Sequence, residues 1–139
     1  MMDWVLDSSL ALAWALPDEN SARAERFLAR VSPGDILWVP ALWWYEISNA
    51  LLMAQRRQRL AGSESMRAIE LYGLLPIRTD MELSLDAATR FQVLALEHAL
   101  SAYDAAYLEL AQRKRAGLAT LDRRLVNAAR RARLRVLPT

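Results

Sequence analysis

The sequence predicts an α/β fold, a three-layer arrangement in which helices cover both faces of a parallel sheet. Three observations carry this. Short apolar runs at Trp4 to Leu6, Ile36 to Val39 and Leu118 to Leu121 have strand length and are bounded by Asp, Gly or Pro. Between successive runs lie one or two segments with helical spacing of apolar residues, an alternation that calls for crossover connections and parallel strands. The 139 residues, 54% hydrophobic and 24% charged, suffice for one domain with a real core.

The elements follow in order. Trp4 to Leu6 is a first strand. Ser9 to Leu16 is helix-like and stops before Pro17, which disfavours helical geometry in the residue preceding it. Asp18 or Asn20 can cap a second helix running to about Val31, since Ala24, Phe27, Leu28 and Val31 share one face. Pro33-Gly34 is a turn, and Ile36 to Val39 is a buried strand closed by Pro40. A long helix is expected from about Ala41 to Leu60, with a break at Gly62 and another helix from Ser63 to about Leu74. Pro76 to Thr79 is a short, weak strand. Ser84 or Asp86 opens a helix through Leu96, and Ser101 opens one through Arg115, with Gly117 in the position of a C-terminal glycine. Leu118 to Leu121 is strand-like, Asp122 starts a helix to about Ala132, and Leu134 to Leu137 is a last strand.

Composition narrows the function. The longest apolar run, Ile36 to Tyr45, is about half a bilayer span and contains Pro40. No basic residue precedes Arg23, so the N-terminus lacks a signal-peptide pattern. The chain has no Cys, which excludes disulfides and thiolate metal sites. A cytoplasmic protein with no membrane partner is expected. The scattered glycines form neither a phosphate-cradling loop nor a dinucleotide fingerprint. Net charge is only +2, yet nine basic residues stand from Arg113 to Arg135 with Asp122 among them. Such a run is either a solvated helix surface or a phosphate-binding one.

Four acids sit in apolar company: Asp7, Glu46, Asp104 and Asp122. Asp7 and Asp122 each follow a strand directly. Ligands of open parallel sheets bind beyond the strands' carboxyl ends, where strand order reverses, so these two share a crevice if the first and fourth strands are neighbours. Thr120 should face the same side as Asp122, two residues on. Each acid also has a plain reading. Asp7 and Asp122 could cap helices. Asp104 completes a Ser101-x-x-Asp104 capping box. Glu46 could lie on a wet stripe of its helix, although a lone carboxylate among Trp43, Trp44, Ile47 and Leu51 would otherwise need a partner or a metal; Asn49 lies on its helix face. Four carboxylates in one pocket repel by roughly 4 kcal/mol per close pair at an effective dielectric near 20, so such a cluster holds a proton or a cation. All-oxygen ligands select Mg2+ or Mn2+ over zinc. The lone His98 is assigned a structural role. Trp43, Trp44 and Tyr45 are assigned to the core in preference to a partner surface.

Four segments occur in a telling order: Val-Leu-Asp-Ser-Ser, Glu-Ile-Ser-Asn-Ala-Leu, Ser-Ala-Tyr-Asp-Ala-Ala-Tyr-Leu-Glu-Leu-Ala and Ala-Thr-Leu-Asp-Arg-Arg-Leu. Together they resemble the PIN-domain nucleases, specifically the VapC-type toxins of toxin–antitoxin pairs. The resemblance spans essentially the whole chain, 1–139. It implies strand order 3-2-1-4-5 and an Mg2+- or Mn2+-binding site that cleaves RNA. Asp7, Glu46, Asp104 and Asp122 match the family's four acids, and Ser9, Asn49 and Thr120 its polar accessory positions. It further implies a homodimer and a small antitoxin whose tail covers the site.

Two other readings compete. A non-catalytic RNA-binding or scaffold member of the same fold would bind RNA without cutting it. A phosphoacceptor signalling domain also places acids at strand ends, but would need an acid pair after the first strand and a Lys after a late one. The only Lys, Lys114, precedes the fourth strand.

Overall fold

The computed structural model describes residues 2–138. Val5, Leu6, Leu37, Val39, Leu118 and Ala119 are fully buried, so the central strands are covered on both faces. They build a five-stranded, wholly parallel sheet from β1 (Asp3–Leu6), β2 (Ile36–Pro40), β3 (Ile77–Asp80), β4 (Gly117–Ala119) and β5 (Val136–Leu137), in the order β3-β2-β1-β4-β5. The chain steps outward from β1 to β3 and then returns to β4 on the other side of β1. The reversal of strand order therefore falls between β1 and β4.

Seven helices are present among the described residues: α1 (Ser8–Ala15), α2 (Ala22–Arg30), α3 (Ala41–Arg56), α4 (Gly62–Gly73), α5 (Leu85–His98), α6 (Ala102–Lys114) and α7 (Arg123–Arg131). α1 packs with α2, α3 and α4, while α6 packs with α5 and α7 and lies on β1, β2 and β4. Right-handed crossovers put these two groups on opposite faces. α6 is buried continuously from Ala105 to Ala111. Burying each large side chain such as Leu108 or Leu110 there stabilises the fold by about 1.5–3 kcal/mol.

Local chemistry moved several expected boundaries. Pro17–Glu19 forms a 3-10 turn, and Arg59 binds Asp18 at 2.7 Å, so neither Asp18 nor Asn20 caps α2. Ser21 does, accepting from the Ala24 N–H at 3.2 Å. α3 ends at Arg56, short of Leu60, because Gln58 turns left-handed (φ 58°). Gly62 begins α4 instead of merely separating two helices. Ser84, not Asp86, caps α5, accepting from Ala87 N–H at 3.1 Å.

Gly117 is not the C-terminal glycine of α6. Arg115 takes the left-handed conformation there, with φ 53°. Gly117 opens β4, where a Cβ would lie 2.4 Å from the Trp4 ring. The glycine is needed for that close approach of ring to backbone, not for its backbone freedom.

Candidate active site

Asp7 follows β1 and is only 4% exposed. Its backbone N–H continues the sheet, donating to Ala119 O at 2.9 Å. It stands at the cap position of α1, yet its side chain makes no cap bond. Instead Oδ2 accepts from Ser9 Oγ at 2.6 Å and from Thr120 Oγ1 at 2.7 Å. Ser9 Oγ and Thr120 Oγ1 are themselves 3.3 Å apart, and Ser9 Oγ also accepts from Leu121 N–H. The Asp7 carboxylate is thus clamped by hydroxyls across the β1–β4 junction, with Oδ1 taking no hydrogen bond among the described residues.

Asp122 does cap α7, with Oδ1 accepting from Arg124 N–H at 2.8 Å and Leu125 N–H at 3.3 Å. Only one oxygen is used. β4 ends at Ala119, so strand alternation does not govern Thr120 and Asp122; Asp122 N–H donates to Thr120 Oγ1 at 2.9 Å. At Asp104 half of the predicted capping box forms. Ser101 Oγ accepts from Asp104 N–H at 3.1 Å, while no reciprocal bond from Ser101 N–H to the carboxylate occurs among the described residues. Glu46 is half-buried on α3, neither wet nor alone. Its Oε1 accepts from Tyr107 Oη in a short hydrogen bond and from Ser8 Oγ at 3.3 Å.

These four acids line one cleft of about 530 Å3, together with Ser8, Ser9, Leu12, Ala13 and Leu121. Asn49 is exposed and does not line it. Thr120 lies buried beneath, acting on the cleft through Asp7. Sequence reasoning missed three contributors. Tyr107 is three residues after Asp104 on the same helix face, a spacing that could have found it. Ser8 adjoins Asp7. Glu19, on the 3-10 turn, adds a fifth acid to the lining, and no local sequence signal marks it.

The electrostatics reflect the crowding. Burial pushes Asp7 up to about 6, with the charges of Glu46 and Asp122 adding to it and the Ser9 and Thr120 hydroxyls opposing it. Burial likewise raises Glu46, with help from the Asp104 charge and against the Tyr107 and Ser8 bonds. Asp104 is raised by burial and by the Asp122 charge, against the Ser101 side-chain hydrogen bond and the Arg124 charge. Tyr107 is pushed well above the usual phenol range, by burial first and then by the Asp7 charge. It stays a neutral donor.

The donor set is all oxygen and suits a hard divalent ion. Asp7 Oδ1, Glu46 Oε2 and Asp122 Oδ2 accept no hydrogen bond among the described residues. No three acidic side chains among the described residues stand close enough to hold an ion between them as placed. Capping and hydroxyl bonds anchor one oxygen each of Asp122, Asp7 and Glu46. The site fits an ion that retains several waters and takes one or two carboxylates directly, as Mg2+ does.

The basic run divides. Arg113 is held by Asp80 and Glu109 at 2.7 Å each, and Lys114 Nζ lies 4.0 Å above the Trp38 ring. Arg123 and Arg124 are exposed and follow Asp122 directly, in the first turn of α7. The aromatic triplet divides as well. Trp43 is core as expected, but Trp44 and Tyr45 are exposed because they lie on the far side of α3. Trp44 Nε1 donates to Thr79 Oγ1 at 2.8 Å. No helix of the described residues is long and apolar enough to cross a membrane.

Comparison with known proteins agrees with this geometry. Residues 4–131 match the PIN domain family. Ribonuclease VapC3 of Pyrobaculum aerophilum is 34% identical over 128 residues, covering 89% of this chain and 92% of that protein. Ribonuclease VapC9 of Mycobacterium tuberculosis is 33% identical, covering 87% of each. Among solved structures, the fold is shared with Rickettsia felis VapBC2 bound to a promoter DNA fragment (TM-score 0.68, 10% identity, 98% of each chain). It is shared too with Mycobacterium tuberculosis VapC20, a sarcin–ricin loop cleaving toxin (TM-score 0.62, 17% identity, 90% of this chain and 94% of that one). The chain belongs to the PIN-domain family, among its VapC-type members.

Proposed function

We propose that this protein is an Mg2+- or Mn2+-dependent endoribonuclease acting as the toxin of a toxin–antitoxin pair. The observation that carries the reading is Asp7. It is a buried carboxylate at the reversal of strand order that caps nothing, and it shares a cleft with Glu46, Asp104 and Asp122. A fold that needed this acid only for structure would have used it as a cap or replaced it by an apolar residue. The names of the relatives, all VapC ribonucleases, support the same activity.

Asp7, Asp122, Glu46 and Asp104 would hold the ion, directly or through its waters. When bound, a divalent ion supplies a water acidic enough to attack and offsets charge on the phosphodiester. The chain's own residues prepare that chemistry. Ser9 and Thr120 hold Asp7 Oδ2 and leave Oδ1 without a hydrogen bond among the described residues. Tyr107 and Ser8 likewise hold Glu46 Oε1. Arg123 and Arg124, beside Asp122, lie where guanidinium groups would meet the backbone of an entering RNA.

A small antitoxin and a second copy of the chain complete the reading. Solved toxin–antitoxin complexes share the fold, among them VapBC-1 of nontypeable Haemophilus influenzae. Support for protein partners comes from Tyr45 and Tyr103, which are 76% and 65% exposed next to Glu46 and Asp104. They border an apolar groove of about 340 Å3 with Leu42, Leu83 and Phe91. The reading is tested by Asp7→Asn. The variant is expected to lose RNA cleavage with Mg2+ or Mn2+ and to stop arresting growth. Wild-type cleavage and arrest by the variant would overturn the assignment.

A further inference from the structure

The arginines not used by the cleft form a second cluster at the other end of α6. Arg115, Arg133 and Arg135 are exposed and, with Gln112, Ala116 and Leu134, bound a depression of about 520 Å3. Arg115 ends α6, Arg133 follows α7 and Arg135 leads into β5, so three separate connections deliver one guanidinium each. We infer that this depression is a backbone phosphate site for RNA, an anchor remote from the cleft; it rests on the ribonuclease reading for its ligand.

Three features carry it. First, the charges are unneutralised. The arginines in ion pairs among the described residues are Arg59, Arg90 and Arg113, none of them in the depression. The C-termini of α6 and α7 contribute roughly half a negative charge each, which leaves the three guanidiniums with a surplus of about two positive charges. Second, Arg115 and Arg133 adopt left-handed backbone, φ 53° and 62°. Such positions favour Gly or Asn. Both are filled here by the side chain best shaped for phosphate oxygens. Third, Arg135 is held in place. Its guanidinium lies 5.0 Å from the Trp4 ring, which Arg30 approaches at 5.6 Å from its own side. That ring is fixed in turn against Gly117. A held guanidinium loses less entropy on binding than a free one.

Placement fixes what the site can bind. Asp104 stands in the first turn of α6 and Arg115 just past its last, 11 residues apart. At 1.5 Å per residue the depression is about 16 Å along the axis from the cleft. One strand with stacked bases, at about 3.4 Å per phosphate, needs at least about five nucleotides to cover that distance, and more to pass around the elements that bury α6. The anchor therefore acts on long RNA and not on a fragment that fills only the cleft.

The test uses the full chain in EDTA, so that binding is read without cleavage. Fluorescence anisotropy compares labelled RNAs of about four and about 30 nucleotides over a range of salt concentrations. The variant is Arg115→Gly, Arg133→Gly, Arg135→Gln, whose glycines suit the left-handed backbone. The control, Arg23→Gln, Arg56→Gln, Arg57→Gln, removes the same charge elsewhere. The anchor variant is expected to bind the long RNA about 10-fold more weakly, with a salt slope smaller by about 2, and to bind the short RNA as wild type does. The control should lose less than about 2-fold on either RNA. Wild-type affinity in the anchor variant, or equal loss in the control, overturns the site. So does a variant that loses binding of an acidic peptide but keeps RNA, which would mark a protein-binding surface. If the anchor variant loses long RNA while wild type never cleaves it with Mg2+ or Mn2+, the site stands and the nuclease reading falls. If wild type binds no RNA, both fall.

Discussion

Thr120 and Asp7 are 113 residues apart in sequence, and Thr120 Oγ1 donates to Asp7 Oδ2 across 2.7 Å. The same hydroxyl accepts from Asp122 N–H, so one side chain holds two of the site's acids to the ends of adjacent strands. Thr120→Val keeps the shape and removes both bonds. The variant is expected to lose about 1–3 kcal/mol in denaturant unfolding at neutral pH, since a bond to a charged acceptor is lost and Asp122 N–H is left unpaired. Because the Thr120 bond holds the Asp7 pKa down, that pKa should rise above its already elevated position. Carboxyl NMR titration checks the second outcome, and an unmoved Asp7 would deny Thr120 this role.

The Asp7 carboxyl gives a pH signature. Its pKa is raised from 3.8 to about 6, by burial first. Between those values the folded chain binds a proton that the unfolded chain has released. The contribution of Asp7 to stability is therefore fully present below about pH 4, is lost as pH rises through about 6 and stays absent above. The displacement corresponds to about 3 kcal/mol. Asp7→Asn, whose amide oxygen can still accept from Ser9 and Thr120, should exceed wild type in unfolding free energy by up to about 3 kcal/mol at pH 7.5 and match it near pH 3.5. Mg2+ or Mn2+ narrows the gap: at a hundred times its Kd the ion adds about 2.7 kcal/mol to wild type, and less to the variant. Unfolding curves at the two pH values, with and without metal, measure all four states.

Much of this was legible in the chain itself, for physical reasons. Parallel strands buried on both faces must be apolar runs, which is why Trp4 to Leu6 and Ile36 to Val39 stood out. The acids stood out because carboxylates are expensive in such company. What the sequence hid was set by tertiary contact. Gly117 looked like a helix terminator, but the Trp4 ring claims it. Asp18 looked like a cap, but Arg59, 41 residues away, holds it. Asn49 has the right helical spacing from Glu46 but is exposed, outside the lining of the cleft. Glu19 enters the cleft only because Pro17 sets a tight turn there.

Tyr107 offers a cleaner probe of Glu46 than Glu46 itself. Phe at this position fills the same buried space and removes only the hydroxyl that donates to Oε1, leaving Ser8 at 3.3 Å. Tyr107→Phe is expected to lower kcat for RNA cleavage about 10- to 100-fold with KM little changed, since second-layer partners of metal-binding groups carry losses of this size. The Tyr107 bond opposes the rise in the Glu46 pKa. Without it, the acidic limb of the pH–rate profile should move to higher pH. A fall in kcat with an unmoved limb would mean that Tyr107 acts on something other than Glu46.

Arg113 tests whether the basic run is uniform. It is bound to Glu109, which is 3% exposed, and to Asp80, both at 2.7 Å, while Arg90 reaches Glu109 at 3.1 Å. Arg113→Ala leaves a buried carboxylate with one partner in place of two, and should cost about 3 kcal/mol or more. Replacing Arg113 and Glu109 together by Leu should cost less, because the most deeply buried charge, Glu109, is then removed, leaving Asp80 and the more exposed Arg90 without that partner. Arg113 also holds Asp80 below its ordinary pKa. That contribution is present above about pH 4 and is lost as pH falls through the depressed folded value, so the deficit of the alanine variant should narrow in strong acid. Cleavage of RNA by the folded variant should match wild type, because this guanidinium is committed to the β3–α6 contact. A selective loss of RNA affinity at full stability would place Arg113 with the phosphate-binding arginines instead.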